Sequence, residues 1–213
     1  MNKTFKKIVG FLGAGALVAF SVASPVYAGV PSINSAKITG PNTLVINYSE
    51  AVTANAGDYS KFSGDLTGRS VASLGGNGSS SITLTLNGDP LPAGAVGYVT
   101  VGTNTVSVSG GQPFPGGVFN VADAQAPSLV SISIGSNDGM SAIGKVLKRF
   151  DISFRLNEAA TNVSATVLGR SIAVNGSSSG PYSINYTMTG SDSEGNVPVV
   201  LSFTDASGNS GRA

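Results

Sequence analysis

Apolar and polar residues alternate with a period of two along most of this chain, and after the first 28 residues no stretch carries a helical period. Successive side chains of a strand point to opposite faces, so such alternation encodes half-buried β-strands. Phe150, Ile152, Phe154 and Leu156 share one face, with Asp151, Ser153 and Arg155 on the other. Leu44, Ile46 and Tyr48 repeat the pattern, as do Ile82, Leu84 and Leu86, whose opposite face is Ser81, Thr83 and Thr85. Tyr98–Val101, Thr105–Val108, Val118–Val121, Val163–Val167, Ile172–Val174, Tyr182–Met188 and Val197–Phe203 read as further strands. Turn signals separate them, among them Gly40-Pro41-Asn42, Gly75-Gly76-Asn77-Gly78 and Asn87-Gly88-Asp89-Pro90. Short strands about ten residues apart, punctuated in this way, predict an all-β chain built from β-sandwiches. Each inward aliphatic or aromatic side chain, once buried, contributes about 1.5–3 kcal/mol.

The N-terminus is a separate matter. Lys3, Lys6 and Lys7 precede an apolar run, Ile8–Phe20, and Val26 and Ala28 place small residues at the −3 and −1 positions of a cleavage site. Residues 1–28 are read as a secretory signal peptide cut between Ala28 and Gly29. The expected localisation is therefore secreted or extracellular, with no membrane span in the mature chain. Losing the three lysines leaves nine Lys and Arg against eleven Asp and Glu, a net charge of −2. Nothing in that balance attracts nucleic acid, which needs clustered cations. Lys145-Val146-Leu147-Lys148-Arg149 is read as the solvated end of a strand. With no cysteine, the exported chain must build its core without disulfides. Two domains are expected, 29–125 and 126–213, joined at Ala122–Pro127, where Pro127 favours an extended residue before it.

The absence of both histidine and cysteine removes Ser-His-Asp and Cys-His nucleophilic systems, thiolate chemistry and the usual zinc and haem ligands. The acidic residues are scattered over turns and strand ends, so no enzymatic activity is expected. Gly75–Gly78 has neither a following helix nor a Gly-Lys-Ser/Thr, which makes it a tight turn rather than a phosphate loop. Leu91-Pro92-Ala93-Gly94 is likewise a turn and not a sorting signal. Glu50 and Glu158 each follow a strand and read as end charges that discourage edge pairing. Tyr48, Tyr98, Tyr182 and Tyr186 read as core or half-core rings rather than a sugar-stacking platform.

Lys145-Val146, leading into Phe150-Asp151-Ile152-Ser153-Phe154-Arg155-Leu156-Asn157-Glu158-Ala159, resembles the bacterial immunoglobulin-like (Big-type) domains of secreted, S-layer and adhesin-type proteins. So do Tyr186-Thr187-Met188-Thr189, Ser191-Asp192-Ser193-Glu194-Gly195-Asn196-Val197-Pro198 and Phe203-Thr204-Asp205-Ala206-Ser207-Gly208-Asn209-Ser210-Gly211. Asn42–Val52, Asp58–Phe62 and Ile82–Leu86 are similar, less strictly, to modules of the same kind. The resemblance implies two tandem immunoglobulin-like β-sandwiches that serve as spacer, lattice or adhesive units. It implies a place at a bacterial cell surface, with other surface proteins or cell-wall glycans as partners. Members of that family continue past the Gly-Asn element into a closing strand. The second domain is therefore expected to lack that strand, the chain to be a fragment, and its C-terminal edge to be open to strand pairing. The runner-up function is a ligand-binding accessory region of a larger secreted protein or hydrolase. No cofactor or metal is expected, with calcium the one alternative. Asp123 at the joint, with Asp205 and Asn209, offers hard oxygen ligands, similar to the linkers of cadherin-like modules. Against that stands a reading in which Asp205 and Asn209 cap turns through local backbone N–H groups.

Overall fold

A computed structural model of the chain describes residues 29–136, 143–144 and 148–213, with only the backbone at 143–144. Residues 1–28, where a signal peptide is expected, lie outside the described residues, as do Lys145, Val146 and Leu147 of the basic cluster. The all-β expectation holds, the chain forming strands in several sheets with a 3-10 turn at Ala56–Asp58. Among the described residues no helix is long and apolar enough to cross a membrane.

The N-terminal β-unit contains β1 (Ile33–Gly40), β2 (Thr43–Thr53), β3 (Tyr59–Gly64), β4 (Val71–Gly75), β5 (Ser79–Leu86), β6 (Gly97–Val101), β7 (Val106–Ser107) and β8 (Gly117–Asp123). Their order is β3-β6-β8-β1-β2-β5-β4, with β7 on β2. All pairs are antiparallel except β1 and β8, which run parallel through Lys37↔Ala122 and Ile38↔Asp123. The inward rows predicted from the alternation, Leu44-Ile46-Tyr48 and Ile82-Leu84-Leu86, are buried together with Val99, Val101 and Val121 from the other half of the sheet. The threonine face of β5 stays outward.

The C-terminal β-unit contains β9 (Leu129–Ser136), β10 (Ile143–Gly144), β11 (Arg149–Leu156), β12 (Asn162–Val167), β13 (Arg170–Ile172), β14 (Tyr182–Thr187), β15 (Gly195–Asn196), β16 (Val199–Thr204) and β17 (Ser210–Arg212). One sheet runs β14-β11-β9 and another β13-β12-β16-β17, with a short β10-β15 ladder beside them. Phe150, Ile152, Phe154 and Leu156 of β11 and Tyr182, Ile184 and Tyr186 of β14 bury against Ala165, Val167, Leu201 and Phe203 of the other sheet. The Phe154 and Tyr182 rings stack at 5.1 Å. Only five residues, 124–128, separate β8 from β9.

Several expectations are corrected by packing. Thr105–Val108 forms only the two-residue β7, because the chain turns back at once, Gly111 N donating to Ser107 O at 2.8 Å. Val174 lies beyond β13. Lys148 is buried rather than solvated, its ammonium 5.5 Å from the centre of the Phe150 ring. Tyr48, Tyr182 and Tyr186 are core rings, whereas Tyr98 is half exposed on the outer face of β6. Apart from these corrections, Ser210–Arg212 pairs with β16 as an outer strand of its sheet.

That last strand depends on a missing side chain. A Cβ at Gly211 would sit 2.0 Å from the Pro127 carbonyl oxygen and 2.4 Å from Phe203 Cε2. Both neighbours belong to packed backbone or a buried ring and cannot yield freely. Gly211→Ala should therefore destabilise the C-terminal unit by about 1–3 kcal/mol, the usual range for overpacking. A denaturation midpoint unchanged by the substitution would show that β17 does not lie against Pro127 and Phe203.

Candidate functional site

Three core rows run out into acids at the junction of the two β-units. In β8 the inward residue Val121 is followed two positions later by Asp123. Glu158 lies two residues past the inward row Phe150-Ile152-Phe154-Leu156 of β11, and Asp205 two past the row Leu201-Phe203 of β16. All three carboxylates thus end on the inner side of the chain rather than in solvent. The side chains are buried, with residue exposures of 5% for Asp123, 7% for Glu158 and 5% for Asp205. One carboxylate oxygen from each lies within 4.8 Å of the other two.

The surrounding hydrogen bonds arrange two of them. Asn209 donates its side-chain amide to Asp205 Oδ2 at 2.8 Å and to Asp123 Oδ2 at 3.1 Å, joining the last strand of the first unit to the second. Its backbone N–H donates to Asp205 Oδ1 at 2.8 Å, and Gln125 N–H to Asp123 Oδ1 at 2.9 Å. Asp123, Asp205 and Asn209, the candidate calcium ligands, therefore come together, and the two aspartates also make the turn-capping bonds expected of Asx residues.

Glu158 differs. Its Oε1 is buried with no hydrogen-bond partner. The Leu91–Ala95 loop of the first unit closes over it, and a Cβ at Gly94 (φ +77°) would approach Glu158 Oε2 to 3.1 Å. Among the described residues no Lys or Arg forms an ion pair with any of the three; the cation-to-carboxylate pairs there are Arg149–Asp151 and Arg170–Asp192.

The electrostatics follow. Burial, reinforced by the charges of Asp123 and Asp205, pushes the Glu158 carboxyl up to about 7. Burial also raises Asp123, with the neighbouring Asp205 adding to it. Burial opposes the charge on Asp205, but hydrogen bonds with the Asn209 side chain and backbone, the Asp123 carboxyl and the Ser207 backbone together outweigh it and hold Asp205 below the ordinary carboxylate value. A cavity of about 210 Å³ opens between these groups, lined otherwise by small residues such as Gly94, Ala159 and Ser207. It has no aromatic wall on which a sugar ring could stack, and its chemistry is that of clustered hard oxygens.

No family model matches the chain, and no curated protein matches it. Among solved structures, the S-layer protein rSbsC(31-844) superposes with a TM-score of 0.39 at 13% identity, over 85% of this chain and 33% of that one. The chain thus spans about a third of the S-layer chain's length. A likeness this remote says nothing of the role of the present chain.

Glu158 is the residue that the sequence reading misassigned. Its strand-end position suggested an exposed charge, whereas the structure places it inside the joint. Glu50, read in the same way, instead accepts a 2.5 Å hydrogen bond from Ser107 Oγ.

Proposed function

We propose that the chain is a non-catalytic structural protein of the secreted or cell-surface kind, in which two immunoglobulin-like sandwiches act as spacer, lattice or adhesive units. The observation that carries this reading is the joint. Five residues link the units, and the Asp123–Asn209 hydrogen bond ties them side chain to side chain within a buried cluster. Such a joint suits a chain whose task is to hold its ends at a set spacing. The immunoglobulin-like assignment is supported by strand order. In the first unit β1-β2-β5-β4 and β3-β6-β8 correspond to the A-B-E-D and C-F-G sheets of a constant-type sandwich. The lack of histidine and cysteine supports the non-catalytic part. Partners in this reading are other surface proteins or cell-wall glycans. The outer edge of β17, unpaired among the described residues, is the surface a neighbouring strand would extend.

Small-angle scattering of the purified chain should fit one fixed arrangement of the two units. Protein exported by a bacterial host should begin at Gly29 on N-terminal sequencing. A scattering profile that demands many inter-unit angles would sink the spacer reading, and protein retained in the cytoplasm with Met1 intact would sink the secreted one.

A further inference from the structure

We infer that the joint is a calcium site, in which Asp123, Glu158 and Asp205 each supply a carboxylate oxygen to one ion held between the two β-units. This deepens the spacer reading and rests on it only for its biological sense; the chemistry stands on the cluster itself.

Two independent observations point to a ligand. The first is spacing. Ligands about 2.4 Å from a common calcium ion can be no more than about 4.8 Å apart, and the three carboxylate oxygens fall within 4.8 Å of one another. The second is the orphan oxygen. Glu158 is 93% buried by its 7% exposure, and its Oε1 has no partner. A buried polar oxygen without a partner costs free energy, and a cation is a partner it can take. Asp123 and Asp205 beside it are carboxyl groups as well, and neither they nor Asn209 gives Oε1 a hydrogen bond.

Charge and room select the class of ligand. Three buried acids without a paired Lys or Arg, among the described residues, repel one another, and a divalent ion would offset that repulsion. The donors are all carboxylate oxygens, the preference of hard cations, and they exclude the thiolate and imidazole sets of zinc. Calcium takes six to eight oxygens in adaptable geometry, whereas magnesium demands a near-ideal octahedron at about 2.0–2.1 Å. A cavity of about 210 Å³ leaves room for waters to complete the shell. Asn209 is then a positioning residue. Its amide donates to both aspartates and holds the two carboxylates together beside Glu158.

The ligands come from both sides of the joint, Asp123 from the first unit and Glu158 and Asp205 from the second. Calcium therefore links the units as well as stabilising each strand end.

The test is titration calorimetry of the chelator-stripped, purified chain with calcium chloride, beside melting curves with and without calcium. One saturable site per chain is expected, with a higher melting temperature in calcium. Glu158→Gln should weaken binding at least about tenfold, and Asn209→Ala by about 10–100-fold, the range seen when a supporting hydrogen bond to a metal ligand is removed. Melting of each stripped variant shows that it folds. No saturable uptake by the stripped wild-type chain would overturn the site. Uptake that survives Glu158→Gln combined with Asp205→Asn unweakened would also overturn it, since the ion would then sit elsewhere. Scattering in calcium separates the two proposals. Binding with a still-flexible joint defeats the spacer reading alone, and a fixed joint with no binding defeats the calcium site alone.

Discussion

Glu158→Gln should make the calcium-free chain more heat-stable than the original, the reverse of the usual result for a buried charged residue. The carboxylate lies inside the joint with Asp123 and Asp205 as charged neighbours and no donor for Oε1. The amide keeps its shape, removes one of three like charges and adds an N–H that the aspartates can accept. With its carboxyl pushed up to about 7 from an ordinary 4.5, the relief is on the order of 1–3 kcal/mol once solvent screening is discounted. That corresponds to roughly 2–4 °C in melting temperature for each kcal/mol in a chain of this size.

The pH dependence has a definite sign. Between about 4.5 and about 7 the folded Glu158 holds a proton that the unfolded one has released. The folded state then binds more protons, so stability falls as pH rises through this window and levels off above it. Asp123, Asp205 and the Asn209 amide are the groups that face Glu158 in the cluster. Melting curves in chelator near pH 5 and pH 8 should show this fall in the original chain, and most of it should vanish in Glu158→Gln. If the substituted chain instead melts several degrees lower at both pH values, Glu158 makes a stabilising contact and the cluster is not repulsive.

The other large effect concerns Phe203→Ala, which should cost about 3–5 kcal/mol, the range for truncating a buried aromatic residue. Phe203 is fully buried in β16, where it fills the space between the two sheets of the C-terminal unit. Gly211 lies flat against its ring, so removing the ring also takes away the surface on which β17 rests. Asp205 is two residues further along the same inward row, and Asn209 reaches it from the turn before β17. Truncation should thus loosen the joint as well as the core. Urea unfolding followed by tyrosine fluorescence measures the first effect, and calcium titration of the same variant measures the second. A loss below about 1 kcal/mol would show that the sheets do not meet at this ring.

Much of the core was legible because strand burial obeys one simple period. The rows Leu44-Ile46-Tyr48, Ile82-Leu84-Leu86 and Phe150-Ile152-Phe154-Leu156 are buried as their alternation predicts. β1 and β9 were harder to read. In β1, Ala36 and Ile38 are the buried pair in a mostly polar stretch. In β9, Ile132 and Ile134 lie in register with Phe154 and Ile152, yet remain 44% and 42% exposed at the sheet edge. A pattern that packing uses only in part is a weak signal. β7 departs from the pattern in another way: Thr105 and Ser107 are the buried residues and Val108 is exposed, so packing inverts the face that the alternation of Val106 and Val108 suggests, and the strand is only two residues long.

At the joint, Asp123, Asp205 and Asn209 could be chosen from residue type and loop position. Glu158 could have been found by the same period that located the core. Counting on by two from Leu156 reaches it, as counting on from Val121 reaches Asp123 and from Phe203 reaches Asp205. An acid at the next inward position of a core row is a stronger sign of a buried site than an acid in a turn. Reading Glu158 as an exposed end charge assumed that the inward face ends with the strand.

The amino-acid sequence by itself determined that this chain is all-β, which rows form much of its core and that it has neither histidine nor cysteine, because alternation and residue type are local properties. Only the tertiary structure decided that three of those rows end at one place, that Asn209 bridges two of the acids and that Glu158 has no donor. Those facts depend on how β8, β11 and β16 are brought together across about 80 residues of chain, and burial turns three ordinary carboxylates into one electrostatically coupled group.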